Sequence, residues 1–332
     1  MEIGEEVAVS EFVSEELHNE KTCPWHEIGD AHSQKMLLQN PDDDAVGGMA
    51  ATDGGVLGRK MKAAKNLEPA ADKVSLLFKK GEVVTYGTVK RPKLIQTYAE
   101  DKEEEEYPLQ YAPHHLIPGN ESLKGSSVVP FMGDDNCIAD YLPDKGGPAM
   151  SSYIKKGYSI GYDVNAAENG EWLPSPYALS NCNEWPADLG LKYLKKRKDD
   201  VLGEETEAFK PAYVAAAIEA SGGRQFHMRH KPYSDKARAI LQSIGERLAV
   251  MATESCSIAM ESKAENEDRF APPLGLTARL NSLSESLRGL LTKSVWRPPL
   301  YTDSLTQDYA DEMVGIGKFT RSKAKGSVTR IL

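Results

Sequence analysis

Residues 234–252 leave this chain little freedom in how it folds. Ala237, Ile240, Leu241, Ile244, Leu248 and Met251 recur mostly at three- and four-residue steps, which places them on one face of a helix. Ser234 stands where an N-cap would, and Asp235 suits the positive end of the first turn. A helix with one apolar face has to bury it, so the surrounding sequence must supply a core. A second stripe, Leu280, Leu283, Leu287 and Leu290, predicts a helix over 277–293. Residues 211–220 predict a third, with Pro211 tolerated in the first turn and Ser221-Gly222-Gly223 as its C-cap.

Elsewhere the signals are shorter. Residues 74–78 and 83–89 read as short strands around Lys79-Lys80-Gly81, and Glu103–Glu106 reads as a solvated acidic linker. A boundary is expected near residue 105. Residues 111–118 are compact and His-rich, residues 134–141 read as a short helix stopped by Pro143, and residues 170–174 as a turn running into a strand. A short helix is expected near residues 10–18, and residues 187–197 read as weakly helical.

No apolar run approaches the ~18 residues that a membrane-spanning helix needs, which excludes an integral helical membrane protein. The first residues, MEIGEEVAVSEFVSEE, carry neither a basic nor an apolar signal-peptide region. Synthesis in the cytoplasm is therefore expected, and an export route that uses no such peptide remains open. Cys23, Cys137, Cys182 and Cys256 lie far apart with no CxxC pair, which fits neither a disulfide-dense scaffold nor a four-thiolate zinc site. Cys23, His26 and His32 share a short stretch but lack a nearby fourth ligand. Of the net charge of −10, residues 1–110 hold −9, from 13 basic and 22 acidic side chains. This balance excludes a non-specific nucleic-acid coat protein but leaves nucleic-acid chemistry open to the remainder.

Four of the seven histidines fall in two clusters, Pro113-His114-His115-Leu116-Ile117-Pro118 and Phe226-His227-Met228-Arg229-His230. Adjacent histidines on an extended chain point to opposite sides, so one can ligate a metal while the other faces substrate as a base. His227 and His230, three apart, share a face if the chain turns helically there. Neutral imidazole serves both tasks. Arg224, Arg229 and Lys231 flank the second cluster and are candidates to contact phosphates.

The stretches YAPHHLIPGN (111–120), GYDVNAAENGEWLP (161–174) and FHMRHKPYSDKARAIL (226–241) resemble, in order, the three motifs of the AHH family. These are predicted nucleases of the HNH, or ββα-metal, superfamily, widespread as bacterial toxin domains. The resemblance implies an α+β fold, a mainly helical chain enclosing a ββα-metal (HNH-like) nuclease core over residues 105–255. Residues 1–104 would be an acidic delivery or packing region, and 256–332 a C-terminal helical extension. His115 matches the general base, Asn169 the residue that orients it or supports the metal site, and His114 a metal ligand. His227 and His230 match the histidines of the final motif, at least one of which should be a ligand.

The implied activity is hydrolysis of phosphodiester bonds, with DNA the expected substrate. It needs one divalent ion, Mg²⁺, Mn²⁺, Ni²⁺ or Zn²⁺. The implied setting is an antibacterial toxin delivered by a type VI secretion system, with a cognate immunity protein and a secretion-apparatus component as partners. Two other classes compete: a non-enzymatic binding module with a structural metal site, and a structural component of a secretion or phage particle.

Overall fold

The computed structural model describes residues 23–26, 49–66, 75–79, 83–84, 93–94, 104–144, 149–175, 213–227, 231–263, 268–292, 295–296, 300–315, 319–321 and 328–330. In chain order the elements are α1 (Gly54–Ala63), β1 (Ser75–Lys79), β2 (Val83–Val84), β3 (Lys93–Leu94), β4 (Glu104–Pro108), β5 (Gln110–His115) and β6 (Gly170–Ser175). There follow α2 (residues 213–220), α3 (Lys231–Val250), α4 (Ser257–Glu261), α5 (Gly275–Thr292), β7 (Val295–Trp296), α6 (Ser304–Gly315), β8 (Phe319–Arg321) and β9 (Val328–Arg330). The expected helices at 10–18 and 187–197 lie outside the described residues.

The chain divides into two compact units, each discontinuous in sequence. The first contains Met1–Met61, His115–Gly170 and Ser234–Leu287; the second contains Lys62–His114, Glu171–Tyr233 and Arg288–Leu332. Residues 105–255, expected from the motif resemblance to hold the nuclease core, contribute to both units. Helical patterning does not reveal which distant segments share a core.

In the first unit the stripe on α3 is buried as expected, with Ala237, Ile240, Leu241, Ile244 and Leu248 all at most 5% exposed. The helix begins three residues before the expected cap. Pro232 fits a first turn, and the Ser234 hydroxyl, inside the helix, bonds the Glu121 carboxylate at 2.5 Å. Gly245 lets α3 lie against backbone: a Cβ there would sit 2.2 Å from the carbonyl carbon of Ser127. Leu280, Leu283 and Leu287 of α5 are fully buried, and burial of each contributes about 1.5–3 kcal/mol.

In the second unit Leu291, four residues beyond Leu287, occupies the buried position expected of Leu290. A period nearer 3.6 than 3.5 selects it. Helix α2 ends where the glycines predict. Gly223 N–H donates to Ile218 O at 2.8 Å and Gly222 N–H to Glu219 O at 3.1 Å, with Gly222 at φ +74°, a Schellman closure.

The acidic run expected to be a linker is instead strand β4, antiparallel to β1 with Lys79 opposite Glu104. A backbone ladder needs only N–H and C=O groups, so an acidic sequence can be recruited by a neighbouring strand. The other expected strand start, β2, pairs with β3 rather than with β1. Residues 134–141 form turns and a 3₁₀ segment, Ala139–Tyr141, rather than a regular helix. β5 and β6, which carry the first two motifs, form their own two-stranded sheet.

Candidate functional site

In the first unit, the residue that reaches His115 is Asn165. Its Oδ1 lies 3.0 Å from His115 Nε2 and also accepts the Asp53 N–H at 2.9 Å, while its Nδ2 donates to Ala51 O at 2.8 Å. The two backbone partners fix which end of the amide is oxygen. Since Oδ1 can only accept, His115 Nε2 must carry the proton, and Nδ1 is the ring's acceptor. Asn165 is 1% exposed and sits in a turn closed by its own N–H to Asp163 Oδ1 at 2.9 Å. Asp53 faces solvent and caps α1 by accepting the Val56 N–H at 2.9 Å. That bond, with smaller contributions from the Gly55 N–H and the charge of Arg59, holds its carboxyl below the usual range against an opposing desolvation effect.

Asn169, the expected partner of His115, is occupied elsewhere. Its Oδ1 accepts from Ile117 N at 2.7 Å and Ser284 Oγ at 3.0 Å; its Nδ2 donates to the carbonyls of Ile117 at 3.1 Å and Val164 at 2.8 Å. All four hydrogen-bonding positions of the amide are filled. Asn169 thus ties the chain that follows the His pair to residue 164 and to α5.

In the second unit, His114 is 1% exposed and meets His227 edge to face, with ring centroids 4.9 Å apart. Tyr233 packs on His114 at 5.2 Å and is fully buried, which pushes its phenol well up and keeps it neutral. His227 is positioned by its N–H, which donates to Pro174 O at 2.7 Å near the C-terminal end of β6. His230 and Arg229 lie outside the described residues. Lys231 is exposed at the start of α3.

Arg224, expected at a phosphate, instead pairs through Nη1 with the carboxylate of Glu171 and donates to Trp172 O at 3.1 Å. Arg288 Nε approaches the same carboxylate at 3.2 Å. Glu171 is 5% exposed, and two guanidiniums are what a buried carboxylate needs. Arg224 therefore neutralises an internal charge.

Two further features of the first unit escaped the sequence reading. A groove of about 760 Å³ is lined by Asp134, Asp135, Tyr153, Lys156 and Arg269 among others, with no histidine among its described lining residues. Cys23, His26 and Cys256 bring their ligand atoms within 4.8 Å of one another, the one group of three or more metal donors that converges among the described residues. The Cys23–His26 spacing is visible in sequence, but Cys256 lies 233 positions away and no local signal links it. Among the described residues no helix is long and apolar enough to cross a membrane. Comparison of the chain with protein-family models, with curated proteins and with solved structures finds no match.

Proposed function

We propose that this chain is a metal-dependent endonuclease with an HNH-like ββα core, hydrolysing the phosphodiester bonds of nucleic acid, DNA before RNA. The observation that carries the reading is the fixed ring of His115. With Nε2–H donated to Asn165, Nδ1 is the proton acceptor, and a neutral imidazole suits that task near pH 7. His115 takes a proton from water, the hydroxide attacks phosphorus in line, and the P–O3′ bond breaks, the leaving oxygen taking a proton from solvent. Asn165 acts as a positioning residue that holds the tautomer.

The metal that the motif resemblance implies fits the imidazole pair. Two rings with centroids 4.9 Å apart can converge on one ion, and an all-nitrogen donor set suits Zn²⁺ or Ni²⁺. His114 and His227 would hold it, with His230 the further candidate. When bound, the ion supplies Lewis-acid stabilisation of charge on the phosphoryl and leaving oxygens. Lys231 and Arg229 remain candidates for phosphate contact.

The test is plasmid cleavage by the purified full chain with Mg²⁺, Mn²⁺, Ni²⁺, Zn²⁺ and chelator in parallel, together with a single-stranded RNA arm. Cleavage with at least one ion is expected, abolished by chelator and reduced at least ~10²-fold in a folded His115→Ala variant. Unchanged cleavage by that variant removes the base assignment. A folded wild-type chain that cuts neither DNA nor RNA defeats the reading.

The toxin role, type VI delivery, a secretion-apparatus contact and a cognate immunity protein follow from the motif resemblance alone. They predict growth arrest on cytoplasmic expression, relieved by His115→Ala. One observation favours a second reading, a binding module with a structural metal: the convergent three-donor group is the buried Cys23–Cys256 pair with His26, away from the histidine motifs in sequence.

A further inference from the structure

We infer that Cys23, His26 and Cys256 form a zinc site in the first unit, joining the turn at residues 23–26 to the start of α4. The turn is built to present its ligands. His26 N–H donates to Cys23 O at 3.0 Å with Pro24 at the second position, so the ligands at positions one and four of the turn come to the same side. Trp25, between them, anchors the turn. Its Nε1 donates to Ala271 O at 3.0 Å, and its ring meets Phe131 and Phe270 edge to face with centroids 6.1 and 6.4 Å away. Pro24 O accepts the Gly275 N–H at 3.1 Å. Cys256 is fully buried at the N-terminus of α4, where its sulfur accepts the Ala259 N–H at 3.4 Å, an outer bond of the kind that steadies a thiolate ligand.

The distances suit an ion. Zn–S bonds of ~2.3 Å at the tetrahedral angle put two sulfurs about 3.8 Å apart. The two sulfurs here are 3.6 Å apart, far beyond the ~2.05 Å of a disulfide. All three donor atoms already lie within 4.8 Å. Two thiolates and an imidazole select a borderline-soft cation over Mg²⁺ or Mn²⁺. Binding of Zn²⁺ releases two thiol protons to solvent, so the ion and its two thiolates together are neutral, as a buried group should be. Among the described residues no fourth protein donor joins these three. The ion would close a loop of more than two hundred residues onto one point, which makes its role that of a clasp.

The site is testable independently of nuclease activity. The full chain, reduced and stripped of metal, is titrated with Co²⁺, and thiolate-to-cobalt charge-transfer absorption is recorded. One equivalent is expected to produce that absorption, displaced by Zn²⁺. An ion held only by His114 and His227 gives none, so failure here and failure of the nuclease reading are separate results. Cys256→Ser and Cys23→Ser should abolish the absorption and weaken Zn²⁺ binding by more than about 100-fold, since changes even to outer-shell partners cost ~10–100-fold. His26→Ala should weaken it comparably, and Cys137→Ser and His114→Ala should leave it intact. Because a cysteine variant can fail to fold, wild-type protein is also alkylated with and without Zn²⁺ and mapped by mass spectrometry. Zn²⁺ should protect Cys23 and Cys256 together. Reduced wild-type protein that shows no charge transfer, or no protection, overturns the proposal, as does a Cys23–Cys256 disulfide in protein isolated without reductant.

Discussion

Asn169→Ala removes an amide that satisfies both polar groups of Ile117, the Val164 carbonyl and the Ser284 hydroxyl, all from a fully buried position. A buried polar group left unpaired costs about 1–3 kcal/mol, so this variant should lose at least about 3 kcal/mol in urea denaturation. The fraction that remains folded should cleave at the wild-type rate. Asn165→Ala should do the reverse at the chemistry. It removes the hydrogen bond that fixes His115 Nε2, and cleavage should fall by ~10–100-fold, as when the residue orienting an imidazole is lost. The pH–rate profile should shift, and nitrogen NMR should show a mixed His115 tautomer. Equal activity losses in the two variants, with equal stability, would erase the distinction. The histidine clusters were legible because residue type and spacing carry them. The choice of Asn165 over Asn169 was not, because both are asparagines in one motif and only contacts with residues 51–53 separate them. Arg224 misled for a similar reason, since its partner Glu171 is named by the fold and not by proximity in sequence.

At the scale of elements, α6 shows how a cap can carry a pH dependence. Asp303 precedes the helix, and its Oδ1 accepts the Thr306 N–H at 2.9 Å. Burial, outweighing these hydrogen bonds, raises its carboxyl to about 6 from an ordinary value of 3.8. The folded state then binds this proton more tightly than the unfolded chain does. Stability from this group is full below about pH 4 and declines as pH rises towards about 6, by on the order of 3 kcal/mol. Asp303→Asn keeps the capping oxygen and removes the ionisation. Urea denaturation from pH 4 to 7 should show a flatter stability profile for the variant and a more stable variant at pH 7. Equal profiles would mean that Asp303 ionises freely. The longer helices were legible because a 3.6-residue stripe and a glycine cap are local signals. β4 was not, because four consecutive glutamates describe a side-chain preference while the ladder to β1 is made by backbone.

For the whole molecule, the discontinuity of the first unit changes what truncation should do. Removing residues 1–104 takes away the Cys23–His26 turn, α1, and the Ala51 and Asp53 backbone groups that hold Asn165. A 105–332 fragment is therefore expected to lose its cooperative thermal transition by circular dichroism, and a sharp wild-type melt would show that the N-terminal part is dispensable. Composition revealed the acidic segment but not that part of it belongs to the same unit as His115. A nucleic-acid substrate meeting the full chain at −10 demands local positive charge. Among the basic residues near the motifs that would supply such charge (Lys155, Lys156, Lys195, Lys196, Arg224, Arg229 and Lys231), Arg224 is committed to Glu171. Lys195, Lys196 and Arg229 lie outside the described residues. Lys156 is exposed between Tyr153 and Tyr158, which are themselves 43% and 36% exposed, with Lys155 half-buried beside it. Each phosphate neutralised adds ~0.9 to the salt dependence of duplex binding. The Lys155→Ala/Lys156→Ala double variant should therefore lower the slope of log K against log salt by about 1.8, read by fluorescence anisotropy between ~50 and ~200 mM salt. The loss should be the same for duplexes of different sequence, because phosphate contacts carry no base information. An unchanged slope would move the DNA path away from this tyrosine-flanked loop.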